Sequence, residues 1–327
     1  FHAIQHQHIS AESDCCLPVS HRCAWLMSPR RSMKSITRAL LIAGCCLFPF
    51  IHPRRHGASA ASDSSEEAAA SSSFVIAGYL PDYRSYIDVN ATAMHLTDLM
   101  LFSLTPESII LRTSSSSPGE GCCLSSDHYD QIRKARAYKR ERRRRSSERI
   151  RLLLTVGGAG RSDGFRDVVT GKPQIQRQFL KNLVQLCRDE ELDGIDLDFE
   201  GIQSLSDWNA YRKFLSTAST YLHRARPRLL LTVALHPGQF LSSHACQSVD
   251  RVHVMTYDMM AGRGSDDERA DHHASLRSAG EALSEFARNG CPPSKLVMGI
   301  PAYGRHGKNA GLVRTYSEVV DEMIRND

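Results

Sequence analysis

From Phe74 onward, short apolar runs recur at 74–80 (FVIAGYL), 98–104 (DLMLFSL), 150–156 (IRLLLTV), 192–199 (LDGIDLDF), 229–235 (LLLTVAL), 252–257 (VHVMTY) and 296–301 (LVMGIP). Several are apolar throughout, as parallel strands covered on both faces tend to be. Between them the period becomes helical. Ile175, Phe179, Leu183 and Leu186 share one helical face before the fourth run, and Trp208, Tyr211, Leu215, Ala218 and Leu222 share one after it. Strand–helix alternation on this scale predicts βαβ units and a parallel sheet. Seven such runs fit an α/β fold of the (β/α)8 TIM-barrel type better than an open sheet, with the eighth strand missing or cryptic. Only 26 residues follow Pro301, with a helical pattern at 316–325. The polar stretch 113–126 reads as a surface insertion.

The fourth run carries unusual charge. Residues 192–201 read LDGIDLDFEG, with carboxylates at Asp193, Asp196, Asp198 and Glu200. Successive side chains of a strand point to opposite faces. Asp196, Asp198 and Glu200 then share one face, and Ile195, Leu197 and Phe199 the other. In a barrel the apolar set meets the helices while the acids line the interior. Residues two apart sit about 6.6 Å from one another, so their ionisations couple. At least one acid in such a poorly solvated place is expected to hold a proton near neutral pH. A carboxyl kept protonated is what a general acid needs. Glu200, last on the strand and nearest the C-terminal mouth where barrel enzymes keep their sites, is the candidate donor. Asp193 has the opposite parity and is expected to bond backbone at the strand entrance. Two other readings compete. Four solvated surface acids would leave the interleaved apolar residues misplaced. A calcium loop of the EF-hand kind from Asp196 to Asp207 would need a bidentate Glu where Asp207 stands, and would waste Ile195, Leu197 and Phe199. No metal is expected.

Composition changes the picture mainly upstream. The chain does not begin with Met, and Met33 opens a plausible start. Lys34 and Arg38, an apolar stretch over 39–48 and Ala58-Ser59-Ala60 together read as a secretory signal peptide. The apolar stretch is too short for a stable membrane anchor. Residues 1–60 are therefore read as an upstream region plus signal peptide, 61–73 (ASDSSEEAAASSS) as a low-complexity linker, and 74–327 as the barrel domain of a secreted, extracellular protein. The net charge of +5 arises entirely upstream, because the residues after position 60 carry 34 basic and 34 acidic side chains. No nucleic-acid partner is expected, and the basic run 139–145 (KRERRRR) reads as a solvated helix face or loop. Beyond position 60 lie Cys122, Cys123, Cys187, Cys246 and Cys291, without metal-ligand spacing. One or two disulfides are expected in an oxidising compartment, with the pairing open. Asn90-Ala91-Thr92 is a glycosylation sequon.

The segment Leu192 to Glu200, LDGIDLDFE, resembles the catalytic signature of family 18 glycoside hydrolases, the chitinase family. Thr155-Val156-Gly157-Gly158 is similar to the family's small-x-Gly-Gly turn. Met255-Thr256-Tyr257-Asp258 matches its Met-x-Tyr-Asp, and 299–305 (GIPAYGR) its Gly-x-Pro-x-Tyr-Gly-Arg segment. The resemblance covers about 74–305 and implies a (β/α)8 barrel acting, without a cofactor, on chitin or another N-acetylglucosamine-containing polysaccharide. It also implies that the substrate's acetamido oxygen attacks the anomeric carbon, with retention of configuration. Glu200 would then protonate the leaving oxygen and later activate water. Asp198 would orient the acetamido group, and Asp196 would share a proton with Asp198. Tyr257 would donate to the acetamido oxygen, Asp258 would help hold the sugar and Met255 would line the floor. Tyr79, Gly158 and Tyr303 are further substrate-contact candidates, while Arg305 reads equally well as a surface ion-pair partner. Gly201 departs from the family, where many members carry an aromatic residue after the acid. The only tryptophans are Trp25 and Trp208, so the family's sugar-stacking tryptophan is missing. A non-catalytic lectin of the same fold, or a hydrolase of N-glycan cores or peptidoglycan, are the alternatives. The intact Glu200 favours hydrolysis.

Overall fold

All seven apolar runs become strands of one parallel sheet: β1 (Ala77–Pro81), β2 (Asp98–Leu104), β3 (Arg151–Gly157), β4 (Gly194–Asp198), β5 (Leu230–Leu235), β6 (Arg251–Val254) and β7 (Leu296–Met298). Each is hydrogen-bonded to the next in chain order. The helices are α1 (Val89–Ala93), α2 (Pro106–Leu111), α3 (Ser126–Arg145), α4 (Phe165–Thr170), α5 (Pro173–Asp189), α6 (Leu205–Arg224), α7 (Ser243–Ser248) and α8 (Leu276–Arg288). This computed structural model describes residues 74–84, 86–112, 124–146, 149–202, 204–259, 273–306 and 311–326. The signal-peptide and linker readings, and nearly all of the 113–126 insertion, lie outside the described residues.

The caps explain where the long helices begin. The Ser125 hydroxyl accepts from the His128 backbone N–H at 3.4 Å, and the His128 ring accepts from the Ser125 N–H at 3.2 Å, a reciprocal cap for α3. Ser204 caps α6 by accepting from the Asp207 N–H at 3.0 Å, and α5 opens with Pro173. Asp207 is thus a buried first-turn residue of a helix, and Asp196–Asp198 is strand, so the calcium-loop reading does not hold.

Side chains alternate as the strand period requires. Leu99, Leu101, Leu152, Leu154, Ile195, Leu197, Leu231 and Val233 point outward and join Phe179, Leu183, Leu186, Tyr211, Phe214 and Leu215 of α5 and α6 in one buried cluster. Each such side chain contributes about 1.5–3 kcal/mol by leaving water. The alternate positions, among them Asp98, Met100, Leu153, Thr155, Asp196, Thr232, Ala234 and His253, are buried on the opposite face. That face is concave. Arg251 on β6 reaches Asp98 on β2 at 2.8 Å, and His253 on β6 reaches Tyr79 on β1 at 2.7 Å. In a flat sheet, strands four and five places apart would be about 19 and 24 Å from each other. The sheet is therefore curled into the greater part of a barrel.

β1 and β7 remain its two edges, and no eighth strand joins them among the described residues. After β7 the chain forms an antiparallel hairpin, β8 (Tyr303–Arg305) with β9 (Val313–Thr315), followed by α9 (Tyr316–Asn326). The basic run ends α3 as a solvated helix face, with Arg140, Arg143, Arg144 and Arg145 exposed, and only its first residues pair with the acidic turn before β4. Lys139 pairs with Asp193 at 2.5 Å, Arg140 with Glu191 at 2.5 Å and Arg136 with Glu190 at 3.3 Å. Arg142 donates to the carbonyls of Ala93 and Leu96 just past α1, at 3.2 and 2.7 Å. Cys246 and Cys291 form a disulfide, and Cys187 is free and buried.

Candidate active site

The acids of β4 are held from the entrance upward. Asp193 accepts the Leu152 N–H at 2.7 Å, the backbone role its parity predicts. Asp196 is fully buried and paired in register with Thr155 on β3 and Thr232 on β5. Both threonines donate to it, Thr232 at 2.5 Å and Thr155 at 3.3 Å. The Tyr79 hydroxyl adds a third donor at 3.0 Å. Three hydroxyl donors on one carboxyl make the environment of a carboxylate.

Asp198, two residues nearer the mouth, is treated oppositely. It is 5% exposed, and its Oδ1 is buried without a hydrogen-bond partner. Burial, then the neighbouring charges of Asp196 and Glu200, push its carboxyl up to about 8. A proton kept by the folded chain and released by the unfolded one makes stability fall as pH rises from about 4 to about 8. Asp198→Asn removes that titration. Urea unfolding should show the variant gaining on wild type by about 1–2 kcal/mol between about pH 6 and pH 8. A gap that does not change with pH would mean that Asp198 keeps no proton.

Glu200 lies two residues beyond the end of β4 rather than on it, because Gly201 turns the chain with φ 86°. Its backbone N–H donates to the Ser162 hydroxyl at 3.0 Å. That hydroxyl lies within 3.2 and 3.3 Å of the Gly158 and Asp198 carbonyls. The turn carrying Ser162 is anchored by Arg161, which forks onto Asp82 at 2.8 and 3.0 Å. Gly158 packs tightly there with φ 98°. A Cβ on it would come within 2.3 Å of the Phe102 ring and 3.4 Å of an Asp198 carboxyl oxygen. Its part is thus to let the β3 turn approach Asp198. The Glu200 carboxyl stays partly open to solvent, with His236 Nε2 at 3.6 Å.

The C-terminal end of β6 supplies the opposite wall. Met255 is buried and Tyr257 is partly exposed. Burial, then the Asp198 charge, raise the Tyr257 phenol, which stays protonated as a donor. Asp258 adopts a left-handed backbone, φ 57°. It accepts from Tyr303 at 2.8 Å and from Arg305 at 2.6 Å, with His273 Nδ1 at 3.1 Å. Against its burial, the Arg305 and Tyr303 bonds hold the Asp258 carboxyl below the usual range. Arg305 is therefore the ion-pair partner of Asp258 at a half-buried position, and the Tyr303 hydroxyl braces Asp258. Tyr79 likewise departs from a simple contact role. It is 39% exposed, yet its hydroxyl is turned inward to Asp196 and His253.

Sequence reasoning missed Thr155, Thr232, Ser162, His236, His253 and His273. The two threonines and His253 had left a signal, as polar residues at inward positions of otherwise apolar runs. Ser162, His236 and His273 had none. Among the described residues no group of three His, Cys, Asp or Glu side chains is arranged to hold a metal ion. A cavity of about 610 Å³ between α5 and α6, lined by Gln178, Lys181, Arg188, Tyr221 and Arg224, lies apart from these acids.

The family model described as "Glycosyl hydrolases family 18" matches residues 77–323. Nod factor hydrolase protein 1 of Medicago truncatula is 31% identical over 183 residues, 49% of this chain and 46% of that protein. The chain spans about half the length of the first curated relatives it matches. A family GH18 chitinase from Cycas revoluta, solved with (GlcNAc)3, superimposes with a TM-score of 0.60 at 22% identity, covering 76% of this chain and 80% of that one. A chitinase-like agglutinin from Robinia pseudoacacia gives 0.57 at 22% identity, covering 75% and 79%.

Proposed function

Because the chain belongs to the glycosyl hydrolases of family 18, we propose that it is a retaining endo-hydrolase of β-1,4-linked N-acetylglucosamine polymers such as chitin, working by substrate assistance. The observation that carries this reading is the pairing of a raised, buried Asp198, whose Oδ1 lacks a partner, with a more open Glu200 two residues on. Acids in contrasting environments take different roles, so the open Glu200 moves the proton in both steps while the buried Asp198 receives the acetamido group. Glu200 gives its proton to the glycosidic oxygen as the bond to the anomeric carbon breaks. The acetamido oxygen of the same sugar closes on that carbon, and its N–H is received by the free Asp198 oxygen. Tyr257 donates to the acetamido oxygen and holds it in line. Water then opens the oxazolinium ring, with Glu200 taking its proton, so the product keeps its configuration. The oligosaccharide bound in the Cycas revoluta structure supports the substrate class.

The first product formed from a chitooligosaccharide, followed by proton NMR, should be the β-anomer. An α-anomer would overturn the mechanism. The same fold carries an agglutinin, so binding without release is the outcome that would favour a lectin. Passage through the secretory pathway belongs to the same proposal. It is supported by the Met33–Ala60 pattern, the Cys246–Cys291 disulfide and the exposed Asn90 of the sequon.

A further inference from the structure

His253 is buried inside the curled sheet and has no part in the chemistry just described. Its Nδ1 is 2.7 Å from the Tyr79 hydroxyl, which is itself 3.0 Å from Asp196. Its Nε2 is buried with no hydrogen-bond partner. A phenol has one proton to donate. If Tyr79 gives it to Asp196, the short contact to His253 is a bond only when Nδ1 carries the ring proton. If Tyr79 gives it to His253, then Asp196 must be protonated to keep its own contact, and a buried N–H at Nε2 is left orphaned.

Two observations choose the first wiring. Asp196 also accepts from Thr232 and Thr155, which suits a carboxylate. Orphaned buried N–H groups are rare in native structures, so a bare Nε2 lone pair is the better occupant of that place. We infer that His253 is a positioning residue, fixed as the Nδ1–H tautomer, which donates to the Tyr79 oxygen, strengthens the bond that phenol gives to Asp196, and so keeps the shared proton of the acid pair on Asp198. The inference rests on the hydrolase reading for its effect on rate, and on geometry alone for the tautomer.

The charges around His253 agree. Burial lowers its tendency to ionise, partly offset by the Asp196 charge, so the ring is neutral. Asp98 from β2 and Arg251 from its own strand are the other charges that act on it. The register neighbours from β5 and β7, Ala234 and Val297, carry none. Burial, then Asp196, hold the Tyr79 phenol well above its ordinary range, so it keeps its proton throughout.

The full chain labelled with 15N-histidine tests the wiring directly, with the His253 signal assigned by its loss in His253→Asn. A neutral ring protonated at Nδ1 is expected, and a ring protonated at Nε2 overturns the inference whether or not the chain hydrolyses anything. The second arm reads the rate. His253→Leu should move the acid limb of the kcat–pH profile upward by about half to one pH unit, with KM changed less than about twofold. His253→Asn, which still offers an N–H, should restore most of the shift. In a Tyr79→Phe background His253→Leu should add nothing, and an equal shift there would mean that His253 does not act through Tyr79.

Discussion

Glu200→Gln is expected to lower kcat on a fluorogenic chitooligosaccharide by about 10³-fold or more while leaving the fold and sugar binding in place. General acid–base catalysis by one side chain is worth about 10²–10⁴-fold, and Glu200 would act in both halves of the reaction. The substitution is nearly isosteric, and the feature that positions the residue, its N–H on Ser162, is backbone. Unfolding stability should therefore stay within about 0.5 kcal/mol of wild type, as for a partly exposed side chain with no buried partner. Oligosaccharide affinity by calorimetry should change by a few fold at most. Retention of more than about a tenth of the wild-type rate would remove Glu200 from the acid role and leave the proposed function without its proton donor.

The largest effect on stability is expected at the other end of the barrel. Asp98 is fully buried. It accepts from Arg151 at 2.8 Å, Thr97 at 2.6 Å and Arg251 at 2.8 Å. Against the cost of burial, the Arg151, Thr97 and Arg251 bonds lower its carboxyl from the ordinary value. This carboxylate ties β2 to β3 beside it and to β6 across the interior, so it closes the bottom of the curl. Asp98→Ala leaves two arginines uncompensated, Arg251 with only 11% of its side chain exposed. Breaking a buried ion pair by removing one partner costs about 3–5 kcal/mol, and urea unfolding should show a loss of that size. The sign with pH follows from the lowered carboxyl. Its contribution is present above about pH 4 and is lost as the folded-state carboxyl takes up its proton at lower pH. A loss below about 1 kcal/mol in Asp98→Ala would mean that the arginines find other partners and that the sheet does not depend on this tie.

Much of this was legible along the chain. Period two in LDGIDLDFE placed Asp196 and Asp198 inward and Ile195, Leu197 and Phe199 outward, as found. The opposite parity of Asp193 anticipated its bond to the Leu152 N–H. Strand order followed chain order because short parallel connections admit few alternatives. Illegible were the contacts that depend on curvature. Nothing local to GYL or VHV says that Tyr79 and His253 meet, because they are 174 residues apart and join only when β1 and β6 face each other. The bracing of Asp258 by Tyr303 and Arg305 needed the chain beyond β7 to return over the mouth. The Cys246–Cys291 pairing was open among five cysteines until α7 and the turn before β7 came together. The basic run on α3 is the solvated helix face its composition suggested, but the pairing of Lys139 and Arg140 with Asp193 and Glu191 was illegible, because those partners lie far along the chain.

The sequence by itself determined the strands, their inward and outward faces and the acids that can do chemistry, since parity and apolar spacing are properties of neighbouring residues. The tertiary structure alone decided which acid keeps a proton. That depends on how many donors converge on each carboxyl and which charges flank it: three hydroxyls reach Asp196, whereas Asp198, two residues on, has an unpartnered oxygen between Asp196 and Glu200.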